Sequence, residues 1–357
     1  MRDLWRDSSS PSFSASVIVP FHRGLPGLER VIAAVAGSSH VSEIIVVANG
    51  HDEEPTALLR TPRVQIVAIP GACGPAIARN RGAKLASAPI LVFIDADVVP
   101  HPTAIPRMVQ SLEAGDVAAV FGAYDHDPTH PGFFSQYRNL AHAFVHERAR
   151  AEAKTFWAGL GAVHASAFAS VGGFDERFVR PSIEDIDLGY RLSAAGYRLR
   201  LDVSIRGTHL KRWTLRTGIV TDVRDRGVPW AQALLKFGAL ANDLNVSWSG
   251  RAAVALAYAF AGAVLLAVAQ PLALWAALAS LGAFIAVQGP LLRMFLAMRG
   301  LPFVLGVVAA QWVHHLCNGV SLLIGGTLWM AQRAGGRRTS WTLPRDTWPS
   351  NAQHARS

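Results

Sequence analysis

The sequence predicts an α/β domain built on a mainly parallel sheet, followed by a C-terminal group of apolar, membrane-crossing helices. Three observations carry this. Ile90-Leu-Val-Phe-Ile94 is a continuous apolar run ending at Asp95, which is how a strand buried on both faces reads. Other short β-branched runs alternate with helical patterns, as βαβ units require. Finally, Ala252–Leu292 and Gly300–Gln332 contain no Asp, Glu, Lys or Arg.

In order, Ser16-Val-Ile-Val-Pro20 is the first strand, and Leu28, Val31, Ile32 and Val35 then recur at helical spacing. Glu43-Ile-Ile-Val-Val-Ala48 is a second buried strand and Val64–Ile69 a third. A helix follows with Pro75 in its first turn, where proline costs no hydrogen bond. The central strand comes next and delivers Asp95 and Asp97 to its carboxyl end. Ligands of open α/β sheets bind beyond that end, and carboxylates with substrate phosphates are the usual holders of Mg²⁺. A helix beginning at Glu184 would place Leu188, Leu192 and Ala195 on one face.

A membrane span needs about 20 mainly apolar residues. The first charge-free run therefore holds two helices, Ala252–Ala269 and Leu272–Gln288, turning at Gln270-Pro271, and the second at least one. A soluble core helix would keep a polar face, and these have none. The division is a tail over 1–14, a catalytic domain over 15–240 with an interfacial segment over 211–240, a transmembrane region over 251–332, and a basic tail over 333–357.

The net charge is +9, yet the arginines are dispersed and no nucleic-acid motif occurs. Anionic lipid accounts for the charge, and nucleic acid is not an expected partner. Two cysteines, Cys73 and Cys317, make no disulfide framework and suit a cytoplasmic catalytic part. Residues 1–14 lack the apolar core of a signal peptide.

Six segments, in order, carry a family likeness: Val17-Ile-Val-Pro20, Val46-Val-Ala-Asn-Gly50, Ala78-Arg-Asn-Arg-Gly82, Phe93-Ile-Asp-Ala-Asp97, Val171-Gly-Gly-Phe-Asp-Glu176, and Glu184-Asp-Ile-Asp-Leu188 with Arg191. Over roughly Ser16 to His209 the chain resembles the family 2 glycosyltransferases, which have the GT-A fold. The resemblance implies a nucleotide-sugar donor, a divalent metal (Mg²⁺ or Mn²⁺) and a carboxylate base. Asp97 would be the main metal ligand, with Asp95 between ribose and metal and His209 as third ligand.

Pro20 and Phe21 fall where the family's first strand meets the nucleotide. The family's second strand normally ends in two aspartates; Ala48 and Asn49 stand there, which leaves the base open. Arg79 and Asn80 would lie near the nucleotide, Arg79 pairing with phosphate or Asp95. Of the pair Glu184 and Asp185, the resemblance favours Asp185 as the base taking the acceptor proton. Direct attack by the acceptor would invert the anomeric carbon. Trp157 offers a flat apolar face for a sugar or lipid acceptor, and is equally suited to filling a core.

Lys211-Arg212-Trp213 and Arg224-Asp-Arg-Gly-Val-Pro-Trp230 pair cations with aromatic rings just before the apolar region. Such clusters suit a headgroup-level surface and are also suited to diphosphate. The Gln-x-x-Arg-Trp motif of processive synthases is not found, which favours transfer of a single sugar. A cytoplasmic domain implies an inner-membrane, multi-pass protein. Three passes would leave the arginine-rich tail outside, against the positive-inside tendency. A re-entrant hairpin over Gly300–Gln332, bent at His314-His-Leu-Cys-Asn-Gly319, would resolve that, so three or four passes are expected. The alternatives are a polyprenyl-phosphate glycosyltransferase, an exopolysaccharide synthase, and a non-catalytic scaffold of the same fold.

Overall fold

The computed structural model describes residues 14–22, 24–50, 60–71, 73–237 and 247–335. The first thirteen residues of the expected N-terminal tail and all but the first three of the C-terminal tail lie outside these. Nine strands form one sheet: β1 (Ala15–Phe21), β2 (Val41–Asn49), β3 (Val64–Ile69), β4 (Ile90–Ile94), β5 (Val98–Pro100), β6 (Ala119–Tyr124), β7 (Glu152–Ala153), β8 (Leu160–His164) and β9 (Leu199–His209). The order is β3-β2-β1-β4-β8-β6-β9-β5, with β7 on β9. The half β3-β2-β1-β4 is parallel throughout, as the βαβ pattern dictates. The other half is mixed: β8 runs antiparallel to β4 and β6, while β6 and β9 are parallel.

The helices of this domain are α1 (Leu25–Ala36), α2 (Pro75–Leu85), α3 (Ala104–Glu113), α4 (Phe133–Arg148), α5 (Ala165–Ser170) and α6 (Glu184–Ala194). Apolar residues at helical spacing on α1 and α3 meet the core, among them Leu28, Ile32, Met108 and Leu112. All of β4 is buried, and Phe93 on it packs 5.1 Å from Phe174 and 5.5 Å from Phe168. Each such ring contributes about 1.5–3 kcal/mol by leaving water. Unusually for a surface helix, α2 also buries Arg79 and Asn80. Those two polar groups face inward onto buried partners, Arg79 onto Asp95 and Glu184 and Asn80 onto the backbone of Phe174.

Beyond β9 come α7 (Leu215–Val220), a π-helical turn at Thr221–Asp225, α8 (Gly227–Phe237), α9 (Trp248–Ala267), α10 (Ala273–Val287), α11 (Gly289–Arg299) and α12 (Leu301–Ala334). Two helices, α9 and α12, are long and apolar enough to cross a membrane, with mean hydropathy 1.7 and 1.3. A third crossing results only if α10 and α11, bent by 71°, are taken as one. Gln288 sits at that bend and donates to Gln311 Oε1 at 3.2 Å on α12, beside His315 at 2.6 Å.

The re-entrant bend expected at His314–Gly319 is not present. Residues 301–334 form one unbroken helix, about 50 Å long at 1.5 Å per residue. Its polar residues do not break it, because Asp222, Gln288 and the α9 backbone supply their partners. Nor do the helices stand apart from the domain. Tyr137 and Leu140 of α4 share a buried cluster with Leu291, Leu292 and Phe295 of α11 and Val307 of α12.

Candidate active site

Five buried residues of β4 end at Asp95, and a tight turn carries the chain through Ala96 and Asp97 into β5. The Asp95 amide is tied to Gly159 O at 3.1 Å, and the Asp97 carbonyl accepts from Leu210 N at 2.8 Å. Val98 pairs with His209 across the β5–β9 ladder, which brings His209 beside Asp97 from the far end of the domain. His209 Nε2 lies 3.5 Å from Asp97 Oδ2.

The histidine is held from behind. Its Nδ1 donates to Asn139 Oδ1 at 2.6 Å, and its ring stacks on Tyr124 at 4.3 Å. That hydrogen bond fixes the tautomer and leaves Nε2 facing the carboxylate, the arrangement metal-ligating histidines use. Asp97 is 43 % exposed on the cleft side. Burial would raise its carboxyl, but the neighbouring His209 and Lys211 outweigh this and hold it below the usual range. An ionised carboxylate and an imidazole nitrogen aimed at one point fit a divalent cation whose remaining positions are filled by phosphate oxygens.

Asp95 does not complete that pair. Its Oδ1 accepts from Arg79 Nη2 at 2.7 Å, while Arg79 Nη1 donates to Glu184 Oε1 at 2.7 Å. Among the described residues no three His, Cys, Asp or Glu side chains converge as a metal cage. Of the expected ligands Asp97, Asp95 and His209, the structure brings Asp97 and His209 together and turns Asp95 to a buried arginine. Burial opposes the Arg79 charge, but Asp95 and Glu184 outweigh it and keep the guanidinium protonated. Glu184 is buried and also accepts from Ser182 N at 2.8 Å, so it orients Arg79 and is not free to move protons.

Asp185 is the available carboxylate. It sits in the first turn of α6, where Asp185 Oδ2 accepts from Ala158 N at 3.2 Å and Oδ1 from Ile186 N at 2.9 Å. Burial and the neighbouring Glu184 raise its pKa to about 7, against the lowering pull of Arg79 and Arg226. A carboxyl poised there can take a proton near neutral pH. The second aspartate of the motif, Asp187, is buried and bound by Arg191 at 2.7 Å.

Four other expected residues have structural employment. Asn49 ends β2, but its amide is spent on Cys73: Oδ1 accepts from Cys73 N at 2.7 Å, and Nδ2 donates to Cys73 O. A ring N–H therefore has no free face of Asn49 to meet. Asn80 donates to Phe174 O at 2.9 Å and accepts from Phe174 N at 2.9 Å, pinning the Gly172-Gly173 loop. Phe21 is buried in the core, leaving only Pro20 of that pair at the partly open strand end. Trp157 is 8 % exposed and is packed by Tyr124 at 4.8 Å, His142 at 5.3 Å and His146 at 5.4 Å. It fills the core under His209 and offers no open face.

Lys211 lies over the Trp213 ring at 4.0 Å, and Arg212 is exposed. One feature escapes sequence reasoning: Asn139, which holds His209, lies on α4 in no recognisable motif.

The comparisons with known proteins agree with this geometry. Residues 16–177 match the profile described as glycosyl transferase family 2, and residues 138–224 match one described as the N-terminal domain of galactosyltransferase. Validoxylamine A glucosyltransferase of Streptomyces hygroscopicus subsp. jinggangensis is 30% identical over 220 residues, 51% of each chain. Pre-mycofactocin glycosyltransferase of Mycobacterium tuberculosis is 29% identical over 237 residues, 60% of this chain and 46% of that one. The chain thus spans about half the length of the curated relatives it matches. Among solved structures, a mannosyltransferase of Pyrobaculum calidifontis, in complex with GDP-Man and Mn²⁺, superposes with TM-score 0.53. It is 19% identical, and the match covers 88% of each chain.

Proposed function

We propose, for a chain that belongs to the family 2 glycosyltransferases and has their GT-A fold, that it moves a single sugar from a nucleoside-diphosphate donor to an acceptor at a membrane. One observation carries this reading. Asp97 with His209, the Asp95–Arg79–Glu184 bridge, and Asp185 are gathered at the carboxyl end of β4.

Asp185, as carboxylate, accepts the proton of the acceptor hydroxyl while that oxygen bonds to the anomeric carbon. The bond from that carbon to the diphosphate breaks in the same displacement, its electron pair leaving on phosphate oxygen, and configuration inverts. Asp97 and His209 would hold a divalent cation, which when bound supplies Lewis-acid stabilisation of the departing diphosphate. Arg79 sets the positions of Asp95 and Glu184, so that Asp185 is presented at the start of α6. The apolar helices packed against the domain support an acceptor that is lipid-borne or held at the lipid surface. Loss of one proton acceptor typically costs about 10²–10⁴-fold in rate.

The test is release of nucleotide by the full chain in detergent, screening UDP-, GDP- and dTDP-sugars with Mg²⁺ or Mn²⁺. Metal-dependent turnover of one donor, absent in Asp97→Ala, is expected. Absence of turnover together with no nucleotide binding would sink the reading and favour a scaffold.

A further inference from the structure

We propose that none of the described helices crosses the bilayer. Helix α12 lies along its surface beneath the catalytic domain. The α9–α10 hairpin is a wedge that enters the hydrocarbon from that side and turns back within it, and the partner is anionic phospholipid.

The domain covers α12 along most of its length. Near its start, Gly306 lies against the Phe133 ring of α4, and Val307 is buried with Tyr137 and Leu140. Midway, Asp222 of the π-turn accepts 2.7 Å bonds from both Arg138 terminal nitrogens and lies 2.7 Å from His314 Nδ1. The Asp222 carbonyl accepts from Ser321 Oγ at 3.2 Å. Farther on, Gly325 meets Val228 and Ala231 of α8, a helix whose Ala233 belongs to the main core. From Gly306 to Gly325 is about 28 Å at 1.5 Å per residue, almost the whole hydrocarbon thickness of about 30 Å. A crossing α12 would therefore draw α4, the π-turn and α8 through the bilayer, together with the exposed Arg216 and Arg226 beside them. Charge at that depth is expensive.

The hairpin packs on the other side of α12. Trp312 Nε1 donates to Ala257 O at 3.1 Å, and Tyr258 Oη donates to Leu316 O at 2.8 Å. Trp312 and His314 are two residues apart, about 200° round a helix, so hairpin and π-turn hold opposite faces. The layers are thus domain, α12 and hairpin, and with the domain in water the hairpin lies deepest. Helix α10 ends at Gln288, whose Nε2 donates to Gln311 of α12 at 3.2 Å. Its 15 residues take the turn at most about 22 Å past α12, short of the far surface.

The turn itself has the character of a buried tip. Val268 is 88 % exposed and Leu272 77 %, and the stretch from Val264 to Leu278 holds no charge and one amide, Gln270. A turn surfacing in water would be polar; this one fits hydrocarbon. At the start of α9 Arg251 lies over the Trp248 ring at 4.4 Å, and at the end of α12 Arg333 lies over Trp329 at 5.1 Å. Cation–indole pairs suit the headgroup level, and their charge calls for anionic lipid. Arg333 then stays on the domain's side, as the positive-inside tendency asks and three crossings would not allow.

The experiment maps sidedness. Full-length protein is synthesised cell-free onto preformed sealed phosphatidylcholine–phosphatidylglycerol vesicles, so that the domain stays outside. Lys84→Cys, Gln270→Cys and Arg333→Cys are made singly on Cys73→Ser, Cys317→Ala, a background that keeps a donor to Asn49 Oδ1. With an impermeant maleimide outside, Lys84→Cys and Arg333→Cys should label, and Gln270→Cys should label only after unfolding in SDS. A bimane on Gln270→Cys should be quenched by lipids brominated on their acyl chains. Label that reaches Gln270→Cys or Arg333→Cys only once the vesicle interior is opened would show a crossing and overturn the proposal. Label at Gln270→Cys from outside would put the tip in water, and absence of quenching would mean that a second copy or another protein covers it; either also overturns it. On the chain without substitutions, a C-terminal epitope tag should be open to antibody from outside, and its protection in sealed vesicles would count equally against the proposal.

Discussion

Asp185 shows how much of a residue's chemistry depends on its surroundings. As an exposed carboxyl on a helix amino end it would be ionised well below neutrality; burial beside Glu184 raises it to about 7. A base must be ionised, so the fraction competent rises as pH climbs through about 7, and activity with it. Asp185→Asn should remove that limb and lower kcat by about 10²–10⁴-fold, with little change in nucleotide affinity. A normal rate in that variant would discard Asp185 as the base. The metal pair is tested separately. His209→Ala removes one of the two side chains proposed to hold the cation and should raise the Mn²⁺ concentration needed for half-maximal turnover, at least about tenfold. No shift would return His209 to the stacking role it has with Tyr124. The place of Asp95 and Asp97 at a strand end is legible in the sequence, because an apolar run ending in carboxylates is a local signal, whereas His209 comes only from the family resemblance and is set beside Asp97 by the β5–β9 pairing. Asn49 and Phe21 are not legible as structural groups, and Trp157 only as one of two readings, because partners such as Cys73, Tyr124 and His142 come from other segments of the chain.

At the scale of elements, the strands, α2 and α6 follow from apolar spacing, Pro75 and the acidic first turn, all local signals. The π-turn and its anchorage are not local. Asp222 would be raised by burial, but His314 and Arg138 outweigh this and hold its carboxyl far below the usual range. A depressed carboxylate pKa stabilises the fold above its unfolded value, and the gain is lost only as pH falls through the folded one. The anchor should therefore survive mild acid. Asp222→Asn leaves Arg138 buried without its counter-charge, a loss of about 3–5 kcal/mol where the pair is fully desolvated. Lower thermal stability is expected; unchanged melting would show that the anchor is dispensable. The α8–α12 contact is equally specific. A Cβ on Gly325 would lie 2.6 Å from Ala231 Cβ and 2.8 Å from Val228 O, so backbone and backbone nearly touch. Gly325→Leu should force the helices apart and reduce the yield of folded protein in detergent, whereas Gly326→Leu, with open space around its Cβ, should not.

For the whole molecule, hydropathy identified the apolar helices but not their relation to the domain. Charge-free stretches imply three crossings, which holds only if α10 and α11 are one bent span, and hydropathy does not register that Val307, Cys317 and Gly325 of α12 are covered by α4, the π-turn and α8. The helices facing away from the domain carry the opposite character. Leu265 of α9 is 75 % exposed and Leu323 of α12 is 67 % exposed, with Trp275 and Leu278 of α10 also uncovered. Water against that much apolar surface would be costly, so a lipid phase is the solvent that this surface fits. The protein should then stay with membranes through alkaline carbonate, and release by salt alone would reduce the attachment to charge. A sharper test places a charge on the surface itself. In the middle of a crossing helix an arginine costs about 2.5–3.5 kcal/mol of insertion free energy. With that cost as its ceiling on a helix lying along the surface, Leu323→Arg should lower the membrane-integrated fraction, although the side chain is mostly exposed and its loss leaves little packing undone. If the same substitution proved neutral in both integration and melting, this face of α12 would be in water, and the acceptor would no longer be expected at a lipid surface.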